Sequence, residues 1–204
     1  MSKILKLALY LCLLSLANSS LAQQIATVSG VIKAEPRLME DTRLGVHLLN
    51  ANTQQLEEIA SVTPVAGTFS VSAVTPPPSS LSPWRDGTIV LPGLINEYSV
   101  TPAGVMAVRA VTNTYVDSDQ NGHFDGHHID PLYLGIASVE SPGGFFSLVY
   151  TQEDAVISGK GQSLAFRAGW NIYTVRFTES GEALYSTQPV VTDVVLDVFF
   201  PTNE

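Results

Sequence analysis

The sequence predicts an all-β protein: a β-sandwich, drawn as two packed β-lobes joined by a Pro-rich linker. Short runs rich in Val, Ile, Tyr and Phe recur along the chain, separated by Gly, Pro, Asp and Ser. Some alternate at period two, as in Thr68-Phe69-Ser70-Val71-Ser72-Ala73, which predicts one buried face. The composition is 45% hydrophobic and only 14% charged, with 12 Pro and 15 Gly. That is apolar enough for a packed core and excludes the disordered class.

In chain order, the first expected element is an export signal over residues 1–22. Lys3 and Lys6 give a basic start, and Ile4 to Ala17 is an apolar run too short to cross a bilayer. Ser20-Leu21-Ala22 places small residues where a signal peptidase requires them, so cleavage is expected before Gln23. The alternative is an uncleaved N-terminal anchor. Cys12 lies in the middle of the apolar run, after Tyr10-Leu11, which does not fit a lipoprotein signal. Removing the signal takes two of the ten basic residues and the only cysteine, leaving eight basic against nineteen acidic residues. A cysteine-free exported chain depends on packing or bound metal rather than disulfides. Its acidity argues against a nucleic-acid partner, whose phosphates require clustered Lys and Arg. No later run is long enough for a transmembrane segment. The expected location is periplasmic, cell-surface or extracellular.

Residues 23–74 are expected to form a small N-terminal β-lobe, with strands over 28–32, 44–49, 59–62 and 67–74. Residues 52–59 are the only helical competitor, and they are too short to persist. Residues 75–83, Thr-Pro-Pro-Pro-Ser-Ser-Leu-Ser-Pro, read as the linker, because consecutive prolines lack ladder donors and favour an extended form. A segment as short as the first lobe is marginal alone, so it is expected to pack on the second. Residues 84–204 are expected to form a C-terminal β-sandwich. Its strands are placed over 88–91, 105–115, 134–139, 145–150, 155–158, 163–167, 170–178, 183–187 and 194–200. Glu179-Ser180-Gly181-Glu182 supplies a hairpin turn.

Two resemblances follow from these runs. Val28-Ser29-Gly30-Val31-Ile32, Gly45-Val46-His47-Leu48 and Gly67-Thr68-Phe69-Ser70-Val71 resemble transthyretin-like or carboxypeptidase-regulatory-like β-sandwich modules. Leu148-Val149-Tyr150, Ala155-Val156-Ile157-Ser158-Gly159 and Leu164-Ala165-Phe166-Arg167-Ala168-Gly169-Trp170-Asn171 resemble the C-terminal part of uncharacterised secreted bacterial β-sandwich proteins, in which a strand pair precedes a Gly-Trp-Asn turn. That second resemblance implies location and fold but no chemistry. Trp170 reads as a core aromatic.

The chemistry is concentrated in Asp117-Ser118-Asp119-Gln120-Asn121-Gly122-His123-Phe124-Asp125. Asp117, Asp119, Asn121 and Asp125 occupy positions 1, 3, 5 and 9 of a calcium-loop pattern, with Gly122 at the sharp turn and the His123 carbonyl at position 7. Calcium requires six to eight oxygens, and alternate side chains of a tightly wound loop supply them. The nine residues resemble the loops of EF-hand and dockerin-type proteins. His128 stands where those loops have a closing acid, and no flanking helices are readable, so a lone Ca2+ loop between β-elements is expected. Asp130 is the expected substitute ligand. The competing reading is an acidic turn without an ion, since Asp, Asn and Gly are ordinary turn residues.

His123, His127 and His128 lie beside Asp125 and Asp130 and could hold zinc or copper. Their spacing is not that of HExxH, which favours a solvated His-rich loop. Gly159-Lys160-Gly161-Gln162-Ser163 lacks the leading glycine of a phosphate loop, and no G-x-S-x-G elbow appears. No catalytic constellation emerges. The expected function is that of a non-enzymatic, calcium-stabilised exported protein with a structural or binding role at the cell envelope, where polysaccharide contact is one option. The alternative is a carbohydrate-binding or hydrolytic accessory protein, which would need exposed stacking aromatics or two facing carboxylates.

Overall fold

The computed structural model describes residues 25–34, 41–49, 55–84, 89, 91, 94, 98–139, 144–159 and 161–199. The expected export signal, the start of the 52–59 helical candidate, Thr88 and Val90 of the strand expected over 88–91, Lys160 and Phe200 lie outside them. Among the described residues the secondary structure is β throughout, apart from a 3-10 turn at Pro78–Ser80.

The strands are β1 (Thr27–Ala34), β2 (Thr42–Leu49), β3 (Leu56–Val62), β4 (Thr68–Ser72), β5 (Ser82–Pro83), β6 (Tyr98–Thr101) and β7 (Met106–Val116). Then come β8 (Leu132–Val139), β9 (Gly144–Thr151), β10 (Ala155–Gly159), β11 (Gln162–Phe166), β12 (Gly169–Phe177), β13 (Ala183–Gln188) and β14 (Val190–Phe199). Two differences from the sequence reading stand out. The strand expected over 88–91 is not formed at Ile89 or Leu91, although both are buried. Pro92 follows directly and offers no ladder donor. The four-residue β6 was not expected; it pairs with β10.

The large sheet runs β13-β12-β9-β7-β8-β14-β1-β4, with β2 and β5 attached at β7 and β3 attached to β2. A smaller sheet has the order β11-β10-β6. Pairing is antiparallel except for β1 with β14, which is parallel from Thr27↔Val190 to Ala34↔Val198. β7 is long enough to serve several neighbours. Ala107–Ala110 pair with β9, Thr114 and Tyr115 with β8, and Ala110–Val116 with β2.

Side chains on alternate positions of the middle strands divide between two cores. Val108, Ala110, Leu148, Tyr150, Trp170 and Ile172 pack with Val28, Val46, Phe69, Val71, Val194 and Leu196. Ala107, Val149, Tyr173 and Val175 instead join Trp84, Tyr98, Ile157, Leu164 and Phe166 beneath the small sheet. Strands β7, β9 and β12 are thus covered on both faces, and β12 is buried continuously from Gly169 to Val175. Inside this double core Thr174 Oγ1 lies 2.6 Å from Ser186 Oγ, so its hydroxyl is not stranded.

The Pro-rich stretch 75–83 runs between strands that share one sheet. β1 and β2 precede it in the chain, yet their ladders are with β14 and β7. Pro76 is buried, and Ser82–Pro83 pair with Met106–Ala107. Strands from both sides of the stretch therefore share the large hydrogen-bonded sheet. Trp170, 2% exposed, donates its indole N–H to the Val74 carbonyl at 2.7 Å and fastens the beginning of this stretch to β12. Asn171 closes the turn before β12: its Oδ1 accepts from Arg167 N at 2.9 Å and its Nδ2 donates to Arg167 O at 2.7 Å.

Candidate metal centre

The acidic loop is the connection between β7 and β8. Asp117 directly follows β7, and Asp130 lies two residues before β8. Val116 N donates to Pro131 O at 3.1 Å, so these two carboxylates stand at the adjacent feet of the loop. Its first half winds tightly, with Gln120 at φ +60° and Gly122 at φ +83°, the latter a conformation for which glycine carries no steric cost.

Asp117, Asp119 and Asp130 each offer a carboxylate oxygen within 4.8 Å of the others. Asp117 and Asp130 are buried, whereas Asp119 is exposed. Backbone N–H groups fix the buried pair. Asp117 Oδ1 accepts from Asn121 N at 3.1 Å and Oδ2 from Gly122 N at 2.8 Å. Asp130 Oδ1 accepts from Ser118 N at 2.9 Å and Oδ2 from Asp125 N at 2.7 Å. Asp130 thereby ties both halves of the loop together. The nearby cation offers little compensation: Arg43 Nε is 4.0 Å from Asp117 Oδ2, while its terminal nitrogens donate to Thr63 Oγ1 and Ser61 Oγ. An open hollow of about 350 Å³, bordered by Asp41, Arg43, Asp117, Gln120 and Asn121, reaches the acidic group from solvent.

The other expected ligands are placed as follows. Asn121 Nδ2 donates to Asp119 Oδ2 at 3.0 Å and to Asp125 Oδ2, and Asn121 Oδ1 accepts from His123 N at 2.8 Å. Asp125 is exposed and lies outside the three-carboxylate group. The expected histidine cluster is divided. His127 and His128 have ring centroids 4.0 Å apart, beside a cavity of about 660 Å³ that Leu56, Phe124, Asp125 and Leu132 also line. His123 points elsewhere, its Nδ1 lying 3.7 Å from Glu58 Oε1.

The loop folds back over the face of β2, β3 and β7 that points away from the first core. There the fully buried His47 is wedged between Tyr115 and Phe124, with ring centroids at 5.9 and 4.9 Å. Burial lowers the pKa of His47 from 6.5 to about 4, partly offset by the Gly45 backbone. Tyr115 donates its hydroxyl to Glu58 Oε2 at 2.6 Å, and burial followed by that carboxylate pushes its phenol well above the ordinary value. Sequence reasoning singled out neither His47 nor Glu58. The available signal was a lone histidine inside the apolar run Val46-His47-Leu48-Leu49.

No family model, no curated protein and no solved structure matches this chain.

Proposed function

We propose that this chain is an exported, calcium-stabilised β-sandwich protein with a structural or binding role at the cell envelope. The observation that carries the reading is the group of Asp117, Asp119 and Asp130, gathered within 4.8 Å at the feet of one loop. Three carboxylates at that separation repel one another by about 1 kcal/mol per pair even under water-like screening. A divalent cation converts the repulsion into attraction. The donors are all oxygens, and Asn121 with the His123 carbonyl can extend the set, which suits calcium rather than a nitrogen- or sulfur-seeking metal. Binding there joins the end of β7 to the start of β8, so metal affinity becomes folding free energy. The basic start and apolar run of residues 1–22 support export.

The test is thermal melting of the purified protein in calcium, in magnesium and in chelator. A calcium-specific rise in Tm that disappears in Asp117→Ala is the expected result. Equal Tm in calcium and chelator would leave the loop an ordinary acidic turn.

A further inference from the structure

His47 is fully buried, and neither of its ring nitrogens makes a hydrogen bond of good geometry. Apart from the partial offset by the Gly45 backbone, such an imidazole has given up its hydration without a well-formed hydrogen bond in exchange. Its Nε2 faces Glu58 Oε2 at 3.8 Å, and Glu58 Oε1 faces His123 Nδ1 at 3.7 Å. Both distances are too long for hydrogen bonds. Both are a few tenths of an ångström longer than the roughly 3.4 Å that separates two ligands around a tetrahedral ion with bonds of about 2.0–2.1 Å. We propose that His47, Glu58 and His123 form a second cation site, taking a zinc-class divalent ion and distinct from the all-oxygen aspartate group.

Three features support the assignment. Two imidazoles and a carboxylate are the donor set that zinc and its first-row neighbours select and calcium does not. The Tyr115 hydroxyl, bonded to Glu58 Oε2 at 2.6 Å, orients the carboxylate as outer-shell donors orient metal ligands. Gly45 leaves open the space between two of the ligands, since a Cβ there would stand 2.9 Å from His47 Nε2 and 3.1 Å from Glu58 Oε2. The two imidazoles address different oxygens of the carboxylate, so closing the site takes a turn of the His123 side chain. That side chain is 80% exposed, with room to turn. His123 would then serve both sites through different groups, its carbonyl for calcium and its ring for zinc.

The experiment is calorimetric titration of the calcium-saturated protein with zinc, repeated with cobalt(II) to read the ligand field by visible absorption. One zinc per chain is expected to bind in excess calcium. His123→Ala and Glu58→Gln should each weaken it by at least about tenfold. A His127→Ala, His128→Ala double variant should leave it unchanged. His123→Ala removes an exposed ring and keeps the backbone carbonyl, so its calcium-dependent Tm shift should persist; failure of the zinc site is thereby separable from failure of the calcium reading. Three results overturn the proposal: no zinc binding in excess calcium, binding indifferent to Glu58→Gln and His123→Ala, or binding abolished in the double variant instead.

Discussion

Asp130→Asn isolates what the buried carboxylate contributes with and without metal. In chelator, the substituted amide keeps one carbonyl oxygen but turns an NH2 toward a backbone N–H. One of the two charge-assisted bonds, to Ser118 N at 2.9 Å or Asp125 N at 2.7 Å, is lost and its donor stranded beside a fully buried side chain. That costs about 1.5–3 kcal/mol. Removing one of three carboxylates also relieves two repulsive pairs, each about 1 kcal/mol under water-like screening. The two effects oppose each other, and the chelated variant should melt within a few degrees of the chelated parent. In calcium the outcome differs. At a calcium concentration about 100 times Kd, a ligand that binds only the folded state stabilises it by about 2.7 kcal/mol. For a chain of this size that corresponds to a rise of roughly 5–10 °C. The variant loses a ligand, so most of that rise should vanish. The assay is calorimetry of both proteins in calcium and in chelator. An undiminished calcium increment in Asp130→Asn would refute the assignment of Asp130 as a ligand.

Two further perturbations probe the packing beneath the loop. With the folded-state pKa of His47 at about 4 and the unfolded value near 6.5, the unfolded chain binds more protons between those pH values. Stability from this group is therefore complete above about pH 6.5 and lost as pH falls toward 4, to the extent of about 3 kcal/mol. Urea titrations in chelator should show a steeper acid loss in the parent than in His47→Gln, and parallel pH profiles would refute the claim. Gly45→Ala places a Cβ 2.4 Å from His47 Cε1, and the flanking Tyr115 and Phe124 rings leave His47 nowhere to retreat. A loss of about 1–3 kcal/mol in denaturant unfolding is expected. A variant as stable as the parent would show that the histidine ring is loosely held.

The β character of the chain was legible because it depends on local patterns. Alternation at Thr68–Ser72 and the apolar runs of β7, β9, β12 and β14 located most strands to within a few residues. Pairing was not legible. Whether β1 meets β14 or stays within its own lobe depends on contacts as distant in sequence as Thr27 and Val190, and a linker motif cannot report them. The double burial of β12 was equally hidden, since Thr174 and Asn171 look solvent-facing until Ser186 and the 167–171 turn are seen to satisfy them. The aspartate group was readable because its members lie in one short segment. Glu58 and His47 were not, because only the β2–β3 register, with its irregularity at Val46/His47, sets them against each other and under His123.

The parallel ladder between β1 and β14 has a consequence for biogenesis. Among the described strands, the one that joins β8 to β1 is also the last to be synthesised, and the large sheet lacks its continuous order until that strand arrives. A growing chain can form the β9–β12 and β10–β11 ladders earlier, from near neighbours. It must carry β1 without its parallel neighbour until residues 190–199 have emerged, and such long-range closure is slow. A chain built this way gains the continuous order of its large sheet only at the end of synthesis, when its last described strand becomes available to bridge β8 and β1.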